Sequence, residues 1–192
     1  MARSKEFDEK VVLDKAMRLF WEKGYEKTSM TDLVDHMGIH RRSLYDTFGD
    51  KHTLYLQVMD RFGYLIYTSL QARIKYAKKS REALQLIFDY FIQGEEDSPA
   101  GCLFVNSAVE LATSDREVHA KTMESLKKIE HMLMEIITTG QTNGEFTSEC
   151  DAEELAEYLH NVLVGIRVMV KTSVPKEKLY RIAERSIKML EK

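Results

Sequence analysis

The sequence predicts an all-α fold, and three observations carry that prediction. The 192 residues include only 2 prolines and 9 glycines, so few positions interrupt a helix. Both prolines, Pro99 and Pro175, fall between periodic segments. Apolar residues recur every three to four positions through most of the chain, and no stretch alternates as a β-strand would. With hydrophobic residues at 44%, the chain can bury a sizeable core.

Taken in order, a first helix is expected over residues 7–23, with Val12, Ala16, Leu19 and Phe20 at helical spacing and Gly24 ending it. The next begins after Thr28 and Ser29. Ser29 is the better N-cap, and Asp32, three residues on, can satisfy and polarise the first turn. Met30, Leu33, Val34 and Met37 give that helix one apolar face, and Gly38 stops it. Residues 40–48 restart a helix with Leu44 and Phe48 inward, which leaves Arg41, Arg42, Ser43 and Thr47 outward. Two short helices across a tight turn are the unit that places a helix in a DNA major groove. Residues 1–50 therefore read as a helix-turn-helix DNA-binding domain.

Residues 51–192 read as a helical domain for regulation and dimerisation. Residues 51–75 form a long helix with Leu54, Val58, Phe62 and Leu65 in its stripe. Ser80 is expected to cap a fifth helix to about residue 94. The loop EEDSPAG then leads to a short apolar helix over residues 102–112, and residues 115–139 are long and amphipathic. After the polar turn GQTNGE, Asp151 caps a helix to about residue 172 with two apolar stripes: Leu155, Leu159, Val162 and Ile166 in one, Ala156, Leu163 and Val170 in the other. Pro175 starts a last helix with Leu179, Ile182, Ser186 and Met189 on one side. Two faces need two partners, so these helices are expected to pair with their copies in a second chain through Leu159, Val162, Gly165, Ile166, Ile182 and Met189. Gly165 would permit a close crossing.

A net charge of -3 excludes a protein that coats nucleic acid indiscriminately. Even residues 1–50 hold 9 Lys+Arg against 10 Asp+Glu, so any DNA contact must come from a local patch: Arg3 and Lys5 in an N-terminal arm, then Arg41, Arg42 and Lys51. A dimer presents that patch twice. No apolar segment follows Arg3 and Lys5, and the apolar run at residues 162–170 is short and broken by Arg167. Neither a signal peptide nor a membrane span is expected, and a cytoplasmic location follows. Cys102 and Cys150 match neither a secreted scaffold nor a zinc spacing. Glu157 and His160 form one Glu-x-x-His step with no second copy, and phosphate-binding, dinucleotide, zinc-protease and nucleophile-elbow motifs are missing. No enzyme activity, cofactor or metal is expected.

Thr28, Ser29, Asp32, Leu33, Val34, Gly38, Ile39, Leu44, Tyr45, Phe48, Asp50 and Lys51 together match a family pattern: T-S-x-x-D-(I/L)-(A/V), a glycine and an apolar residue at the turn, L-Y-x-x-F, and an acidic-Lys step. Over about residues 8–55 the chain resembles the DNA-binding domain of the TetR/AcrR family of bacterial repressors. Its departures are His40 at a helix-capping position, Arg42 at a frequent glycine and Thr47 at a frequent aromatic. These lie where bases are read, so an operator sequence cannot be borrowed.

The resemblance implies a dimeric transcriptional regulator, usually a repressor, released from a palindromic double-stranded DNA operator by a small-molecule effector. Arg41 and Arg42 would read guanine edges or meet phosphate. Tyr45, Thr28, Ser29 and Lys51 are the expected backbone contacts, with capping alone as the other reading of the hydroxyls, and outward-facing Ser43 is a further DNA-binding residue. Thr47 would touch a thymine methyl. In the regulatory half, Cys102 opens the run CLFVNSAVELA, resembling a branch that starts its sixth helix G-C-L-x-x-N; it reads as a small core residue or as a sensing thiol. Asn106, Ser107 and Glu110 sit among apolar neighbours and need partners, either a ligand or internal groups. Tyr67, Phe88, Phe91 and Phe104 suit an apolar effector cavity or a plain core. An interaction module that uses the helix-turn-helix for packing or protein contact is the alternative class.

Overall fold

The structure is a computed structural model that describes residues 7–191. Among the described residues there are nine α-helices: α1 (Glu9–Lys23), α2 (Met30–Met37), α3 (Arg41–Phe48), α4 (Lys51–Ile74), α5 (Ser80–Gln93), α6 (Leu103–Glu110), α7 (Arg116–Thr142), α8 (Ala152–Met169) and α9 (Lys176–Lys188). The only β pairing among them is one antiparallel bridge between Phe146 and Glu191. Arg3 and Lys5 lie outside the described residues.

Local chemistry explains most boundaries. Asp8 accepts from the amides of Lys10 and Val11 and starts α1. Ser29 and Asp32 form a reciprocal capping box on α2, and the Ser29 hydroxyl bond helps push the Asp32 carboxyl down to about 2. Gly38 ends α2 at φ 71°, ψ 32°, a left-handed conformation that a side chain would strain. Asp50, Asp115 and Asp151 cap α4, α7 and α8. Ser80, expected as a cap, is instead the first residue of α5. The Ser80 and Arg81 amides donate to the Glu145 carboxylate, which approaches from the turn after α7. That cap lies 65 residues away in sequence, beyond the reach of local pattern.

Two apolar clusters form the interior. One joins α1, α2, α3 and the first half of α4 to Cys102, Leu103, Phe104 and Val105 of the α6 region. The other is built from α5, α7, α8 and α9, with Leu70 of α4. Ile66 packs against both, so α4 is the spine that they share. Aromatic pairs tie the first together: Phe20 meets Tyr55 edge-on at 4.9 Å and Trp21 meets Phe62 at 4.8 Å.

Candidate functional site

The outward face of α3 is open as the residue pattern requires. Leu44 and Phe48 are buried, while Arg41, Arg42 and Tyr45 are exposed and Ser43 and Thr47 half-buried. The Arg42 side chain is 93% exposed and makes only a 3.6 Å pair with Asp46. Arg41 lies over the Tyr45 ring at 5.9 Å. His40 is the N-cap of α3 but supplies no side-chain bond, and no acid stands in the first turn. The first amides of α3 thus keep their capacity to meet an anion. Lys51 stands at the start of α4 with its ammonium 4.2 Å from the Tyr25 ring centre.

Two hydroxyls differ from expectation. Thr28 is fully buried, with its Oγ1 donating to the Gly24 carbonyl at 2.6 Å and its amide to the Tyr25 carbonyl. It closes the α1–α2 turn and cannot reach a phosphate. Ser29 is exposed, but its hydroxyl is engaged in the α2 capping box.

The seven residues expected around an effector separate. Phe91 and Cys102 line a cavity of about 310 Å³ between α1, α4, α5 and the loop before α6. Tyr67 and Phe104 line another of about 350 Å³ between α4, α6 and α7. Phe88 is fully buried in the second core and lines neither.

Asn106 and Glu110 also line neither cavity, and their polar groups are satisfied within the chain. The Asn106 amide donates to the Trp21 carbonyl at 3.2 Å, and its Oδ1 accepts from Lys171 at 3.1 Å. The Glu110 carboxylate accepts from the amides of Tyr25 (3.0 Å) and Glu26 (2.8 Å). At the turn it grips, Gly24 has φ 87°, and an added Cβ would stand 3.0 Å from Glu110 Oε2. Two further links join α6 and its exit to α4. The Ser107 hydroxyl donates to Leu103, leaving its oxygen to accept the buried Tyr55 hydroxyl at 2.7 Å; desolvation pushes the Tyr55 phenol up to about 12. His52 Nε2 meets Asp115 at 2.7 Å. The sequence signals only that these groups need partners, not which ones.

On α8 and α9, Leu159 and Ile166 are buried in their own chain's core, so neither is available to a second copy. The outer face is formed instead by Tyr158, Gly165, Val168 and Met189 with half-buried Val162 and Ile182. Met189 is 60% exposed, and an added Cβ at Gly165 would meet nothing within 4 Å. Trp21 and Arg18 line the first cavity and Arg167 is buried behind its Phe91 and Cys102, and none of the three stands out as a site residue in the sequence. Arg167, a charge inside an apolar run, was the available signal.

A three-helix unit displaying an arginine-bearing helix, on a helical body with internal cavities, is the architecture of a one-component DNA-binding regulator. Family profiles match on both halves: residues 12–58 fit "Bacterial regulatory proteins, tetR family" and residues 80–185 fit "Tetracyclin repressor-like, C-terminal domain". The chain is 33% identical to the HTH-type transcriptional repressor ComR of Escherichia coli, across 97% of this chain and 90% of that protein. It is 32% identical to an uncharacterized HTH-type transcriptional regulator, YezE, of Bacillus subtilis, over the full length of both. Among solved structures, the TetR family transcriptional regulator CifR, as a cysteine mutant complexed with 26 bp operator DNA, superposes with a TM-score of 0.88 at 26% identity over 98% of this chain and all of that one. The chain belongs to the TetR family, whose members are DNA-binding transcriptional regulators rather than enzymes. Among the described residues no helix is long and apolar enough to cross a membrane.

Proposed function

We propose that this chain is a cytoplasmic, homodimeric repressor that leaves a palindromic operator when a small molecule binds its helical body. The outward face of α3 carries this reading: exposed Arg41 and Arg42 on a helix whose N-terminal amides have no side-chain cap. Residues 1–50 serve as the reading domain and 51–192 as the control domain. Arg41 and Arg42 read base edges, Thr47 touches a base methyl, and Ser29, Ser43, Tyr45 and Lys51 hold the phosphate backbone. The dimer forms through the outer face of α8 and α9, where Gly165 allows the two copies of α8 to approach closely.

Control runs through α6. Its N-cap, Cys102, lines the first cavity, its Phe104 lines the second, and its last residue, Glu110, holds the turn that leads into α2. A molecule that displaces α6 moves that turn, and in a dimer it changes the separation of the two α3 helices. A coupling of about 1–3 kcal/mol is the usual scale of such control.

Selection of bound sequences from a random duplex pool tests this reading, run on the full chain and on an Arg41→Ala, Arg42→Ala variant. The expected result is a palindrome enriched by the first and not by the second. Failure of the unmodified protein to enrich any sequence at low and moderate salt would overturn it in favour of a protein-interaction role.

A further inference from the structure

We infer that Asp46 is a specificity residue of the DNA contact: it accepts a hydrogen bond from the N4 amino group of a cytosine and holds Arg42 so that its fork reads a guanine close by. This deepens the operator reading above and rests on it.

Asp46 stands where α3 reaches farthest outward. Leu44 and Phe48 are buried in the first core. At 3.6 residues per turn, the positions two before and two after Leu44 fall on the opposite side of the helix. Those positions are Arg42 and Asp46, whose side chains are 93% and 69% exposed. A helix laid in the major groove brings this ridge to the base edges.

The order of the pair is wrong for helix stability. Arg42 lies in the first turn of α3 and Asp46 in the last. The macrodipole favours acids at the start and bases at the end, so both charges oppose it. An i,i+4 ion pair also gains less when the basic residue comes first, and this one, exposed and 3.6 Å long, contributes little. Nor does a carboxylate help the approach to DNA. Acids already outnumber bases in residues 1–50, and phosphates repel a charge of their own sign. An acid that weakens both the helix and the general attraction to DNA has a use where a base offers it a donor.

Cytosine offers that donor with no competing acceptor. In the major groove guanine shows acceptors alone, thymine an acceptor and a methyl group, and adenine an N7 acceptor beside its amino group; cytosine shows only its N4 amino group. Arg42 supplies the other half of the contact. Its Nε faces Asp46 Oδ2, which leaves the two terminal nitrogens as the fork for guanine O6 and N7. One helical turn, about 6 Å, separates the two residues along α3. At a rise of about 3.4 Å per base, the guanine and the cytosine lie within about two steps of each other.

The test is selection of bound sequences from a random duplex pool by the full chain, by Asp46→Ala and by Asp46→Asn, followed by competition binding on the enriched half-site. Asp46 lies outside the core, so neither change disturbs the fold. The unmodified chain is expected to enrich a cytosine within about two steps of a guanine, and to lose about ten-fold in affinity when that C·G pair becomes T·A. Asp46→Ala should bind the two duplexes alike. Asp46→Asn should turn the preference to adenine, whose N6 and N7 an asparagine amide meets together. A cytosine preference unchanged in either variant overturns the proposal, and so does a half-site without such a cytosine. Those results leave the palindrome and the repressor reading standing, whereas a pool from which the unmodified chain enriches nothing overturns both.

Discussion

The helices α3 and α6 are both eight residues long, and both carry polar groups beside a buried apolar face. On α3 those groups point into solvent, with Arg42 almost fully exposed and no cap on the N-terminal amides. On α6 they are bound already: Asn106 to Trp21 and Lys171, Ser107 to Tyr55, Glu110 to the amides of Tyr25 and Glu26. The difference matches the proposed division of labour, in which α3 reads and α6 transmits. A surface made for another molecule keeps its donors free, whereas an element that passes on displacement must be attached at both ends.

Substitutions can sharpen or break that contrast. The largest effect is expected from Phe104→Ala, which removes a buried ring packed on Phe62 at 5.6 Å and should cost about 3–5 kcal/mol in denaturant unfolding. A loss below about 1 kcal/mol would show that α6 is not integral to the first core. Next comes Glu110→Gln, which weakens two charge-assisted bonds to backbone amides and should cost about 1.5–3 kcal/mol. Faster amide exchange confined to Tyr25, Glu26 and the start of α2 is the expected signature; a uniform change along the chain would deny α6 its role as a clamp. Arg42→Ala should leave stability within about 0.5 kcal/mol while relaxing base preference by ~1–3 kcal/mol at particular positions, read by competition binding. Unchanged preference would remove Arg42 from base reading.

The smallest effect concerns pH. Burial lowers the His160 pKa, the hydrogen bond that its Nδ1 donates to the Glu130 carboxylate opposes this, and the charge of Arg167 reinforces the lowering. The folded protein therefore holds a neutral imidazole where the unfolded chain takes up a proton near pH 6.5. Stability from this site is complete above pH 6.5 and declines as pH falls through the lower folded value. Melting curves at pH 7.5 and 5.5 should differ less for His160→Gln than for the unmodified chain.

The comparison also explains what the sequence could disclose. The α2–α3 unit is written locally: Ser29 and Asp32 three residues apart, Gly38 at a left-handed turn, Leu44 and Phe48 one helical turn apart. Such signals need no knowledge of distant chain. The partners of α6 lie 52 to 85 residues away, so its polar residues could be recognised as needing partners without the partners being named. The same limit applies to α8. Its two apolar stripes are plain in sequence, but only the packing of α5, α7 and α9 assigns Leu159 and Ile166 to the interior and leaves Tyr158, Gly165 and Val168 outside. Thr28 looks like a solvent-facing hydroxyl beside Ser29, and only the closure of the Gly24 turn turns it inward.

The grip of Glu110 is made entirely on main-chain amides, so it is blind to the side chains of Tyr25 and Glu26. A connection of that kind is interchangeable. A reading domain grafted from a relative should be held by the same carboxylate if it keeps a glycine at position 24, which makes this turn a natural splice point for chimeric regulators with a new operator and the old effector response.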